Sequence, residues 1–277
     1  MGEKQPRLRH GPPGRWGVGV DLRLEDKVAL VAGSSRGIGL ATARAFLAEG
    51  ARTVITGRGS TELAQSRASL ESEFSPGQLM ACEGDLSHPE DIKEVLAAVG
   101  DRWGPPDCLV ANVGNGRGPL GWNLGESDWH RLFEENLSGT YRLVQQVLPN
   151  MIRSGHGSIV LVASIVGLES TPAPLPYSAA KAALISYGKN LARQVGPSNV
   201  RVNSVAPGNI LFPGGSWERN LAERPDEVLR DIQAGVPLQR FGRAEEVADL
   251  IVFLSSDRAA FITGSCIVAD GGQTRRM

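Results

Sequence analysis

Long apolar runs are missing from this sequence. None of its 277 residues falls in a stretch approaching the roughly 18 consecutive apolar residues of a membrane-spanning helix, so no membrane partner is expected. The opening residues are rich in Arg, Gly and Pro and carry no apolar secretory segment, which leaves a cytoplasmic location as the expectation. An excess of either charge is missing too: 29 Lys and Arg stand against 30 Asp and Glu, a net charge of −1. That balance offers no electrostatic basis for binding nucleic acid or acidic lipid. Cysteine is scarce. Cys82, Cys108 and Cys266 lack the spacing of a metal site, and each lies in or beside an apolar run that reads as a strand. They are expected to be small core residues of a reduced protein, with no metal centre.

What is present suits one large α/β domain. Apolar residues make up 41% and charged residues 21%, enough to bury a substantial core at this length. The 34 Gly and 17 Pro fall mostly between apolar runs as turn residues, and no internal repeat is visible. Residues 1–24 read as a flexible N-terminal arm and residues 25–277 as a single catalytic domain.

From residue 27 onward, β-branched runs alternate with helical patterns. Strands are expected at 27–32, 52–56, 77–82, 107–111, 158–163, 200–205 and 266–268. Helices are expected at 40–49, 60–74, up to Trp103 with Ser87 as N-cap, 129–150, from Tyr177 on, and 245–255. This alternation predicts a Rossmann-type, doubly wound parallel seven-stranded sheet with helices on both faces and ligands at the strands' carboxyl ends. Residues 212–236 form a polar, mostly helical insert. Their amphipathic pattern fits a lid over the site and an ordinary surface helix equally well.

Between the first strand and the first helix lies Gly33-Ser34-Ser35-Arg36-Gly37-Ile38-Gly39. Glycines let the backbone approach a pyrophosphate, and the helix start offers free N–H groups and a positive dipole end. The second strand ends in Gly57-Arg58, where a carboxylate would accept a hydrogen bond from the ribose 2′-hydroxyl of NAD. Arg58 there, with Arg36 in the glycine loop, suits a 2′-phosphate and favours NADP(H) over NAD(H). Asn112-Val113-Gly114 follows the fourth strand and should line the same cleft.

Tyr177 and Lys181 are four residues apart, one helical turn, and so share a face. A free tyrosine titrates near pH ~10 and needs help of roughly 2–3 units to exchange protons near neutrality. A positive charge about 4 Å away, at an effective dielectric near 20, supplies roughly that much. Ser164 stands at the carboxyl end of the fifth strand. Asn136 sits inside a helix, where it costs propensity unless solvent-facing or used.

In this order, over 24–274, the chain resembles the short-chain dehydrogenase/reductase family. The residues that carry the likeness are Gly33 to Gly39, Asp85, Asn112-Val113-Gly114, Asn136, Ser164, Tyr177 with Lys181, and Pro207-Gly208. Pro237 to Ala248, Ile262-Thr263-Gly264 and Asp270-Gly271-Gly272 are similar to its 3-oxoacyl-carrier-protein-reductase-like branch. The resemblance implies that Tyr177 is the general acid or base, Ser164 the partner of the substrate oxygen, and Lys181 the group that lowers the phenol's pKa and holds the nicotinamide ribose. Asn136 would hold a water in a proton relay. Asp85 and Leu86 would flank the adenine, Asn112 and Gly114 the cleft, and Pro207, Gly208 and Ile210 the nicotinamide. Four positions depart from the family pattern: Ala32, Ala111, Val113, and Phe212 where a threonine often meets the carboxamide. The implied activity is NADP-dependent hydride transfer to or from a small-molecule ketone or secondary alcohol, thioester-linked in the nearest branch, by a homotetramer. An NAD-dependent alcohol or sugar dehydrogenase and a non-catalytic NADP-binding scaffold are the alternatives.

Overall fold

A computed structural model describes residues 20–275. Most of the predicted N-terminal arm, residues 1–19, therefore lies outside the described residues. Seven strands form one wholly parallel sheet in the order β3-β2-β1-β4-β5-β6-β9. They are β1 Val28–Val31, β2 Arg52–Gly57, β3 Leu79–Glu83, β4 Cys108–Ala111, β5 Gly157–Val162, β6 Val200–Pro207 and β9 Cys266–Ala269. The chain runs outward through β3, then returns to place β4 against the other side of β1, so the strand order reverses between β1 and β4. A crevice opens at such a reversal, at the strands' carboxyl ends.

Side chains alternate across the central strands and divide the interior into two layers. Val31 and Ile55 face α1 (Gly37–Ala48), α2 (Ser60–Glu71) and α9 (Ala244–Ser255), through residues such as Phe46, Leu70 and Ile251. Leu30 and Val54 face α3 (Pro89–Trp103), α5 (Gly139–Ser154) and α6 (Leu175–Val195), through Ile92, Val147 and Leu184. With both faces covered, the middle strands can be apolar throughout; β1 and β4 are buried at every position.

Three details differ from the sequence expectation. The helix expected at 129–150 is broken into α4 (Glu126–Phe133), a π-helical turn at Glu134–Ser138, and α5. Ser87 does not cap α3; its hydroxyl donates instead to Asp85 Oδ1 at 2.6 Å, and His88 takes the cap position without a side-chain bond. Of the three cysteines, only Cys108 is fully buried; Cys82 and Cys266 are half-buried because β3 and β9 are the sheet's edges. Burial pushes the Cys108 thiol up to about 12, which leaves it inert.

The insert at 212–236 resolves into α7 (Ser216–Glu223) and α8 (Pro225–Gly235). Val228, Ile232 and Val236 form a small apolar cluster of their own with Trp217 and Phe241, separate from the two main layers. Two short strands, β7 (Ile210–Leu211) and β8 (Gly242–Arg243), pair in parallel and tie the insert's ends together. Among the described residues no helix is long and apolar enough to cross a membrane.

Candidate active site

The glycine loop is stitched to the end of β2. Ser34 Oγ donates to Val31 O at 2.6 Å and accepts the Thr56 N–H at 2.8 Å, and the Gly33 N–H reaches Thr56 Oγ1 at 3.2 Å. Gly33 has φ +63°, and an added Cβ would lie 2.5 Å from Asn112 O; at Gly39 a Cβ would collide with Gly33 O. Loop, helix start and the β4 end thus close around a space that admits backbone only. The first N–H groups of α1 have no acceptor within the helix. These features fit a dinucleotide pyrophosphate. At the β2 end, Ser35 packs on Gly57, and the Arg58 guanidinium lies 3.7 Å from Asp85 Oδ2. Burial opposes ionisation of Asp85, but the Ser87 hydroxyl and N–H, with Arg58, hold its carboxyl below the usual range. Arg36 is exposed beside the loop.

Ser164 follows β5 in extended conformation, and its Oγ accepts the Val166 N–H at 3.4 Å. Helix α6 starts two residues before Tyr177, with Pro176 in its first turn, where a missing N–H costs nothing. That start turns the phenol toward the Ser164 hydroxyl, close enough for the hydroxyl to favour its ionised form. Lys181, one turn on, is 4% exposed. Its Nζ donates to Val162 O at 3.0 Å and stands 5.8 Å from the centre of the Tyr177 ring. Burial pulls the ammonium down to about 8. Burial also pushes the Tyr177 phenol above its ordinary value, with the Ser164 hydroxyl pulling the other way. In the protein alone the net shift of the phenol is thus upward with burial as its largest cause, and the Lys181 ammonium is bonded to the Val162 carbonyl rather than to the phenol.

Asn136 lies at the centre of the π turn and is fully buried. Its Nδ2 donates to Asn115 O and Leu132 O, both at 3.0 Å, and so ties the loop after β4 to the helix. Its Oδ1 is buried without a partner. Gly114, at φ +120°, lets that oxygen approach; an added Cβ there would strike it. The same loop brings Gly116 against the Tyr177 ring, where a Cβ would be 3.2 Å away. Pro207, Gly208 and Ile210 flank the exit of β6 on the far side.

Every residue singled out from the sequence thus falls at the carboxyl end of the sheet. Phe212, noted from the sequence as a departure from the family pattern, takes a place of its own, and Arg117 went unnoticed. The Phe212 ring lies on the glycine loop, 2.6 Å from where a Cβ on Gly37 would stand. Arg117 reaches Gly214 O at 3.4 Å and bridges the loop after β4 to the insert. Both sit in glycine-rich stretches without periodicity; the resemblance flagged Phe212, and nothing in the sequence flagged Arg117.

A family model described as enoyl-(acyl carrier protein) reductase matches residues 32–274. The chain belongs to the short-chain dehydrogenase/reductase family. It is 39% identical over 252 residues to 3-oxoacyl-[acyl-carrier-protein] reductase FabG of Thermotoga maritima, covering 91% of this chain and 99% of that protein. To the FabG of Escherichia coli it is 35% identical over 251 residues, covering 91% and 98%. Among solved structures, L-sorbose reductase from Gluconobacter frateurii, complexed with NADPH and L-sorbose, is similar at a TM-score of 0.83 and 32% identity, covering 93% of this chain and all of that one. The chain is accordingly an oxidoreductase that transfers hydride between a nicotinamide and a carbonyl/alcohol pair. Among the described residues, no group of three or more His, Cys, Asp or Glu could hold a metal ion.

Proposed function

We propose that this short-chain dehydrogenase/reductase is an NADPH-dependent carbonyl reductase with Tyr177 as its general acid. The observation that carries the reading is the facing of Tyr177 and Ser164 at the carboxyl end of β5, with the Lys181 ammonium buried behind them. When bound, NADPH supplies the hydride. Gly33, Ser35, Gly37, Ile38 and Gly39 would hold its pyrophosphate, and Arg36 and Arg58 its 2′-phosphate. Asp85 and Leu86 would border the adenine, and Asn112, Gly114, Pro207, Gly208 and Ile210 the remainder.

The chain's own residues then act on the carbonyl oxygen. Ser164 Oγ–H donates to it, and Tyr177 gives up the phenolic proton as negative charge develops there. A phenol kept neutral by burial is the right starting state for an acid in reduction. Lys181 stabilises the phenolate left behind. Asn136, in the π turn with its unpaired Oδ1, would position a water that returns the proton through Lys181. The insert at 212–236 would act as the lid. As an assembly we propose a homotetramer built on the outer faces of α5 and α6, in a reducing, cytoplasmic setting.

The test is NADPH titration by fluorescence, then NADPH oxidation with a panel of ketones, β-ketoacyl thioesters and keto sugars. Binding with turnover on at least one compound is expected. Protein that binds no NADPH, or turns over nothing in the panel, would overturn the reading. Light scattering of the purified protein checks the tetramer, and a monomer would refute it.

A further inference from the structure

Gly116, in the loop after β4, lies against the phenol. A Cβ added there would stand 3.2 Å from Tyr177 Cε1 and 3.3 Å from Cζ, the carbon that bears the hydroxyl. Gly116 has no side chain to hold itself in place, so the contact is fixed through its two neighbours. Asn115 Nδ2 donates to Glu135 Oε2 at 2.7 Å, and Asn115 Oδ1 accepts the Arg117 N–H at 2.9 Å. The Asn115 carbonyl accepts Asn136 Nδ2 at 3.0 Å. Arg117 O accepts from Arg131 Nη1 at 3.3 Å, and the same guanidinium nitrogen stands 3.5 Å from Glu135 Oε2.

Glu135 and Asn136 are consecutive in the π turn. Asn115 therefore grips that turn twice, by its side chain at one residue and by its backbone at the next. Only an amide suits the position, because it must donate on one side and accept on the other. An aspartate would set a second carboxylate against Glu135, and an apolar side chain would satisfy neither partner. The bond to Glu135 is charge-assisted, and both residues are half-buried, which limits competition from water. A general acid works only within hydrogen-bond reach of the atom it protonates, and a misplacement of about 1 Å can cost about 100-fold in rate.

We propose that Asn115, anchored by Glu135, is a positioning residue that holds Gly116 against the Tyr177 ring and the Asn136 amide in register with it. This deepens the reading of Tyr177 as the general acid and rests on it. Neither Asn115 nor Glu135 exchanges a proton in the reaction. Their bond sets the place of the phenol, so its loss slows turnover and leaves the binding of substrate and cofactor as it was.

The experiment takes a carbonyl compound that the wild-type protein reduces with NADPH. It measures kcat, KM and the NADPH dissociation constant for Asn115→Ala, Glu135→Ala, the double variant and Glu135→Gln. Each alanine variant should lower kcat by about tenfold, short of the roughly 100-fold of a full 1 Å displacement. KM and the NADPH dissociation constant should stay within about twofold. The double variant should fall no further than either single one, because both remove the same bond. Glu135→Gln keeps an acceptor for the Asn115 amide and should recover most of the loss. Unchanged kcat in both alanine variants would overturn the proposal, as would a loss shared by KM or by NADPH binding. So would a double variant that multiplies the two losses, or Glu135→Gln as slow as Glu135→Ala. A wild-type protein that reduces nothing, or a Tyr177→Phe variant with full kcat, would instead refute the underlying reading, and this inference with it.

Discussion

Lys181→Met should make the cofactor-free protein more stable at pH 7 while destroying its activity. The ammonium is almost completely buried, and its only charge-satisfying contact among the described residues is the Val162 carbonyl at 3.0 Å. Desolvation holds it at about 8 rather than 10.5, a difference that corresponds to about 3 kcal/mol. Losing the bond to Val162 O returns about 1 kcal/mol of that. Met has similar length and fills the same space, so a net gain of about 2 kcal/mol remains. The sign follows from proton counting. Below pH 8 folded and unfolded chains both hold the proton, and the full cost of burying the charge is present. Between about 8 and 10.5 the unfolded chain holds more protons, so wild-type stability rises with pH. Above that window the lysine is neutral in both states and the variant's advantage is gone. Urea denaturation of the two proteins at pH 7, 8.5 and 10, without cofactor, measures the difference directly. A variant that is less stable at pH 7, or a gap that does not change with pH, would refute the assignment of Lys181 as a destabilising buried cation.

Three further outcomes are expected. Tyr177→Phe should lower kcat by about 10³-fold, in the middle of the usual range for a lost general acid, while the NADPH dissociation constant from fluorescence titration stays within about twofold. Arg58→Glu places a second carboxylate beside Asp85; the ratio of kcat/KM for NADPH over NADH should fall by about 100-fold for a lost charge-assisted contact. An unmoved ratio would mean that the 2′-phosphate is held elsewhere. Gly39→Ala drives a Cβ into Gly33 O and to 2.7 Å from Asn112 Nδ2, so unfolding free energy should drop by about 2–3 kcal/mol. A fully stable variant would contradict the tight closure of the loop.

The sheet was legible because its strands are short, β-branched and buried on both faces, so that apolar run and turn alternate without ambiguity. Val28–Val31 and Cys108–Ala111 lie inside the runs read from the sequence. The placing of Ser164 and Tyr177 at one strand end and one helix start was legible for the same reason. Other features depend on contacts between distant segments. Ser87 has the residue type and the downstream acids of a cap, yet the Asp85 carboxylate two residues away competes for its hydroxyl and wins. The break after Phe133 carries no proline, and its one glycine, Gly139, comes only where α5 resumes. What bends the helix there is Asn136, whose amide bonds the carbonyl of Leu132 within its own helix and that of Asn115 in another segment.

These departures are not scattered. A buried ammonium, a buried amide oxygen without a partner, a π turn and a loop glycine at φ +120° all lie within the segments that surround Tyr177. Each opposes stability, and none is itself one of the buried apolar side chains that form the two layers. Local rules that hold along the whole sheet and fail together in one place mark that place as the part of the chain shaped by something other than folding. The features also depend on one another. Removing Asn136 would free the π turn and release the loop carrying Gly114 and Gly116 from the Tyr177 ring. Removing Gly114 would push Asn136 off its two carbonyls. A set of mutually dependent, individually unfavourable arrangements around one phenol is what a proton-transfer centre requires: the acid must be held dry, beside a cation, with a polar route for its replacement proton.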